Sequence, residues 1–202
     1  MARGKMRGFS LVETMVTMTV FIIASGLVFI GVQPEIKEAR VGGAYNTTLA
    51  AMRLARDSSV AQRQVYFVTL NNNVVPNTIT ITQGSTGTVV NTYTLPIDVA
   101  YQVLAQFPTN PAGFPQTPDG FGVGATPIDF DQGIAGGVKN VVYFQPDGSA
   151  QDINGNINNG VVYVARAGDP YSARALTLWG ATGRLRGWRM DQQGVTYYWR
   201  YQ

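Results

Sequence analysis

The sequence predicts an α+β protein, a long N-terminal hydrophobic α-helix followed by an antiparallel β-rich globular head. Two observations carry this. From Phe9 to Val32 the chain reads "FSLVETMVTMTVFIIASGLVFIGV", apolar but for a single charge at Glu13. After Gln64 the texture changes to short runs of β-branched and aromatic residues separated by Asn, Gly and Pro clusters, the pattern of strands joined by turns.

The apolar run comes first. At about 1.5 Å per residue it makes roughly 36 Å of helix, enough to cross a hydrocarbon core of about 30 Å. A membrane span over 9–32 is the physical expectation. Arg3, Lys5 and Arg7 precede it with no acid among them, which keeps that end cytoplasmic and sends the rest outside. A secretory signal has a shorter apolar run closed by a small-x-small cleavage site, and this run has neither property.

Glu13 stands out because an acid in the apolar part of a bilayer costs about 2.5 to 3.5 kcal/mol on insertion scales and is usually kept for a partner or a function. The run contains no base. Cleavage after Gly8 would create one: Phe9 would then carry a free amine four residues before Glu13, one helical turn away or within reach of a neighbouring copy.

Further along, Pro34 and the pair Gly42-Gly43 are expected to bend or loosen the helix. Residues 44–63 recover an amphipathic pattern, with Tyr45, Leu49, Met52 and Ala55 on one face and Arg53, Arg56 and Arg63 off it. The N-terminal helix is thus placed over 9–63 and the β-rich head over 64–202. Strands are expected at "VYFVTL", "TITIT", "TVVNTYTL", "NVVYFQ", "VVYVAR", "RALTLW" and "VTYYWRY". Residues 107–127 are too rich in Pro and Gly for a helix or a central strand. They read as a surface insertion or, more sharply, as a loop that offers Phe107, Phe114 and Phe121 to a neighbouring subunit.

Composition narrows the chemistry. The 202 residues contain no Cys and no His, which removes disulfides, thiolate metal sites, the usual general base and the commonest metal ligand. The 15 Lys+Arg and 12 Asp+Glu give +3, but removal of Arg3, Lys5 and Arg7 with a leader leaves 12 against 12. Distribution is more informative than the total. From Gln64 to Ala165 Lys139 is the one base, against Asp98, Asp119, Asp129, Asp131, Asp147 and Asp152; from Arg166 onward six arginines face Asp169 and Asp191. The oxygen-rich "DGSAQDINGN" from Asp147 lacks the spacing of an EF-hand loop and reads as Asx turns, with calcium the sharper alternative. Asp129 and Asp131 fall two apart on a strand, but carboxylates without a nucleophile or His make a poor catalytic site. No enzyme activity, cofactor or metal is expected.

The stretch "RGFSLVE" at 7–13 resembles the processing motif of type IV prepilins: a basic leader, Gly8 before the cut, a hydrophobic Phe9 and Glu13 as the fifth mature residue. The resemblance implies a leader of residues 1–8 removed by a prepilin peptidase/N-methyltransferase, methylation of Phe9, and a single-pass protein of the bacterial inner membrane with its head in the periplasm. It also implies partner pilins or pseudopilins, against which the helix packs in a filament core. The head adds to it: "AAMRLARDSSVAQRQVYFV", "YFQPDGSA", "ALTLW" and "TGRLRGWRM" look like segments of GspH/FimT-type minor pilins and pseudopilins. The extension through "YYWRYQ" departs from that pattern.

Two functions follow from the resemblance. The first is a minor pilin or pseudopilin that helps to assemble or tip a type IV pilus or a type II secretion pseudopilus. The second is DNA binding for uptake in natural transformation, carried by Gly183, Arg184 and Arg186 of "GRLR", with Arg189 beside them. Arginines on phosphates give sequence-independent, salt-sensitive binding, and Trp188, Tyr197, Tyr198 and Trp199 are placed to stack on unpaired bases. The bland alternative puts Leu185 in a core, the arginines in water and the aromatics in sheet packing.

Overall fold

The computed structural model describes residues 10–130 and 139–202, without the side chains of 27–32 and 34 in the first helix. The chain divides into two units, Met1–Glu38 and Ala39–Gln202. Helix α1 is Leu11–Gln62. It is followed by β1 (Tyr66–Asn71), β2 (Thr78–Gln83), β3 (Thr88–Thr94), β4 (Ala100–Tyr101), a 3₁₀ turn (Pro118–Gly120) and β5 (Ile128–Asp129). Then come β6 (Val141–Phe144), β7 (Ala150–Gln151), β8 (Gly160–Arg166), β9 (Asp169–Trp179), β10 (Arg184–Gln193) and β11 (Thr196–Tyr201). The architecture is α+β, as expected.

In the first unit the side chains from Ser10 to Gly26 all face solvent, Leu11, Met15, Phe21 and Ile22 among them. The hydroxyls of Thr14, Thr17 and Thr19 donate back to carbonyls three or four residues earlier, so these polar residues need no outside partner. Among the described residues no helix is long and apolar enough to cross a membrane. The expected span of 9–32 lies partly outside the described residues, whose side chains within it run from Ser10 to Gly26. Pro34 and Gly42-Gly43, expected to bend or loosen the helix, do not break it: helical residues run through all three.

In the second unit the helix buries Val41, Ala44, Tyr45, Thr48, Ala51, Met52, Ala55 and Ser59, the i, i+3, i+4 stripe of an amphipathic helix. Leu49 packs half-buried at its edge. Two antiparallel sheets complete the unit. One has the order β3-β2-β1-β6-β7; the other runs β11-β10-β9-β8-β4, with β5 also paired to β8. Alternation along the strands sends Val68, Leu70, Ile79, Ile81, Val142 and Phe144 into one core with the helix, together with Val162, Val164, Leu176 and Leu178 from the second sheet.

The opposite face of the second sheet has a core of its own. Val161, Tyr163, Ala173, Ala175 and Met190 point there and are covered by Phe107 and Trp199. This corrects the expectation of a surface insertion for 107–127, and the expectation of subunit anchors at Phe107 and Phe121. Phe107 is buried, its ring 5.4 Å from Tyr163 and 5.0 Å edge-on to Trp199, and Phe121 lies 5.0 Å from the Trp179 ring. Covering a Phe to this degree is worth roughly 1.5 to 3 kcal/mol. The segment is a fixed cover on the sheet, and of the three phenylalanines Phe114 alone is exposed.

Candidate functional site

The helix and the two resemblance-bearing turns of the head meet at Arg56. Its Nε donates to the Gly148 carbonyl at 3.2 Å and a terminal nitrogen donates to the Thr182 carbonyl at 3.1 Å. Ser59 Oγ, one turn on, donates to the Gln145 carbonyl at 3.0 Å. The 145–149 turn and the 180–183 turn are thereby clipped to the helix. Arg56, expected to lie off the packed face, is a structural donor instead. Gly183 has φ +61, and a Cβ on it would run into the Gly148 carbonyl and the Arg56 guanidinium. Its glycine identity follows from that crowding and from the left-handed backbone.

Beyond this clip lies a groove of about 410 Å³ lined by Arg53, Arg56, Thr182, Gly183, Arg184 and Leu185. Arg53 and Arg184 are exposed. Other cations form salt bridges in the head: Arg40 and Arg166 on Asp98, Lys139 on Asp129, Arg186 on Asp119, Arg200 on Asp191. The groove therefore concentrates positive charge with room for an anion.

The structure brings Gly183 and Arg184 into this groove and leaves Arg186 and Arg189 out of it. Arg186 donates to Asp119 Oδ1 at 2.7 Å, and its guanidinium carbon sits 5.5 Å from the centre of the Trp179 ring. Asp119 also accepts from Thr177 Oγ1 at 2.5 Å and Trp179 Nε1 at 3.1 Å. Arg189 is half-buried in the sheet, paired in register with Arg174 on one side and Arg200 on the other. Of the aromatics beside them, Trp199 is buried and Trp188 donates its Nε1–H to Thr177 Oγ1 at 3.1 Å. The involvement of Arg53 escaped the sequence because it lies on the helix, far along the chain from "GRLR".

At the other end, Glu13 is exposed in the first turns of α1, and its backbone carbonyl accepts from Thr17 Oγ1 at 2.9 Å. Gly8 and Phe9 lie outside the described residues. So does Asp131; Asp129 is buried in β5 and paired with Lys139 Nζ at 3.2 Å.

The calcium alternative gains nothing from the geometry. Asp147 accepts from the Ser149 amide, and Asp152 accepts from the amides of Asn154 and Asn156 and from the Asn156 side chain. Burial alone would push the Asp152 carboxyl up, yet these donors outweigh it and hold the carboxyl below its ordinary value. Both carboxylates cap turns. Among the described residues no group of three acids could hold a metal.

Comparison with known proteins bears on the N-terminus. Residues 3–29 match the family model of the prokaryotic N-terminal methylation motif. None of the curated proteins matches the chain. Among solved structures, the chain is similar to the crystal structure of the Pseudomonas aeruginosa type IV minor pilin FimU, at 9% identity and a TM-score of 0.44, over 81% of this chain and 92% of that one. A likeness at that level says nothing about site or function. The N-terminal methylation motif, ahead of an α+β head, supports the resemblance to type IV pilins.

Proposed function

We propose that the chain is a minor subunit of a type IV pilus-type filament, cut between Gly8 and Phe9 and held by its N-terminal helix first in the inner membrane and then among partner pilins. The supporting observation is the methylation motif over residues 3–29 on a helix whose side chains from Leu11 to Gly26 are exposed and mostly apolar, with Glu13 their one charge. Apolar surface on that scale calls for lipid or a neighbouring helix. In this account Glu13 waits for the Phe9 amine that processing creates. Glu13→Ala should leave cleavage by the peptidase intact but lower recovery of the subunit in purified filaments about tenfold, roughly 1.4 kcal/mol of lost pairing. Undiminished recovery would rule out the pairing.

The groove favours a second reading, DNA binding, in a form altered from the "GRLR" expectation. Arg53, Arg56 and Arg184 line one cleft, whereas Arg186 is engaged by Asp119. Binding of single-stranded DNA to the full chain should weaken as salt rises. The Arg53→Ala/Arg184→Ala double variant should flatten that slope by about 1.4, two phosphate contacts at about 0.7 each. Arg186→Ala should leave it unchanged. A slope that responds to Arg186 and not to Arg53 would move the interface to the strand face.

A further inference from the structure

A second cleft lies on the far side of the second sheet, where the 107–127 segment crosses β10 and β11. It holds about 390 Å³, and its walls are the rings of Phe114, Trp188 and Tyr198. Gln116, Thr117, Asp119 and Trp199 complete it. A volume of this size suits a small ligand rather than a water cluster.

Its polar groups are unusual for an interior. Thr117 and Trp199 are 2% and 7% exposed, yet neither Thr117 Oγ1 nor Trp199 Nε1 has a hydrogen-bond partner. Native proteins rarely leave buried donors unmet, because each costs about 1 to 3 kcal/mol. Nearer solvent, Gln116 uses its amide nitrogen on the Pro111 carbonyl at 2.7 Å and keeps its carbonyl oxygen as an acceptor. The only charged residue of the lining is Asp119, whose carboxylate already takes Arg186, Thr177 and Trp179. The lining thus offers aromatic faces, two unmet donors and a free acceptor, with no cation for a phosphate or carboxylate.

We infer that this cleft binds a neutral saccharide, whose C–H face stacks on the aromatic walls while its hydroxyls meet Thr117, Trp199 and Gln116. A sugar ring combines an apolar face with a rim of donors and acceptors, which matches that lining; an anionic polymer does not. The two orphaned heads are buried behind the aromatic wall, so the ligand's hydroxyls meet them where that wall shifts, with the exposed Phe114 ring kept against the face of the sugar. The site is separate from the arginine groove and does not depend on how the chain assembles.

The test uses the full chain in a sugar-free zwitterionic detergent, with cellobiose, maltose, lactose and N,N′-diacetylchitobiose each at about 10 mM, where even millimolar affinity gives high occupancy. Saturation-transfer NMR should show transfer to the ring C–H protons of at least one of these disaccharides. Phe114→Ala and Gln116→Leu lie at exposed positions and should each weaken that binding about tenfold, with the near-ultraviolet dichroism of the head unchanged. Absence of transfer from every disaccharide to a folded chain would overturn the inference, as would transfer that neither substitution alters. Displacement of the sugar by an oligothymidylate in a Phe114-dependent way would overturn it too, since the cleft would then be a base-stacking site.

Discussion

Gly183 and Arg184 are neighbours in sequence with unlike tasks. The glycine is fixed by the backbone: φ +61 and the packing of Gly148 and Arg56 against its Cα leave no space for a side chain. The arginine is exposed on the rim of a groove. A motif read as one binding unit therefore splits into a structural glycine and an exposed arginine on the groove. Gly183→Ala should lower stability of the head by about 2 kcal/mol or more, the cost of a left-handed alanine plus the collision, and shift the urea midpoint accordingly. An unchanged midpoint would mean that the clip at Arg56 yields without loss. Gly187 repeats the lesson in mid-strand: a Cβ there would meet the Tyr45 hydroxyl, so the strand pays a glycine's weak β-propensity for close approach of the helix.

At the level of elements, the end of α1 depends on a residue that propensity would not choose. Arg63 follows the helix with φ 51, and the Gln64 amide donates back to the Ser59 carbonyl at 3.2 Å, the long bond of a Schellman cap. Glycine is the usual occupant of that position. Arg63→Gly should raise stability by about 1 kcal/mol, seen as a higher thermal midpoint; a lower midpoint would show that the Arg63 side chain contributes more than its backbone strain costs. Most strands were legible because their alternating or continuous apolar runs are bounded by turn residues. Strand β10 was not, because it serves two cores at once: Leu185 points to the helix side, Trp188 and Met190 to the other. Gly187 and the interspersed arginines hide what remains of the alternation. The cover formed by 107–127 was illegible for a related reason. Its aromatic anchors are spaced by Pro and Gly rather than by a helical or strand period, and Phe107 packs on Trp199, which lies in the last strand.

Over the whole molecule, part of the asymmetry of charge along the sequence is cancelled on folding. The acidic middle supplies Asp98 and Asp119, and the basic tail supplies Arg166 and Arg186 to meet them. A net excess counted along the tail was a poor guide to surface potential because ion pairs form across the fold. What survives is the groove where the helix adds Arg53 and Arg56 to Arg184. The fold class and the amphipathic half of the helix were visible in periodicity, and the N-terminal motif was visible in seven residues. The clefts were not, since each is built from segments that only tertiary structure brings together.

The central claim is that residues 1–8 are a leader and that Phe9 opens the working protein. Mass spectrometry of the intact chain, expressed with and without a prepilin peptidase/N-methyltransferase, tests it most directly. The account predicts that the enzyme removes Met1 through Gly8 and leaves a chain beginning at Phe9 with one methyl group on its amine. A chain that keeps its first eight residues in the presence of active enzyme, or one cut at another bond, would contradict it.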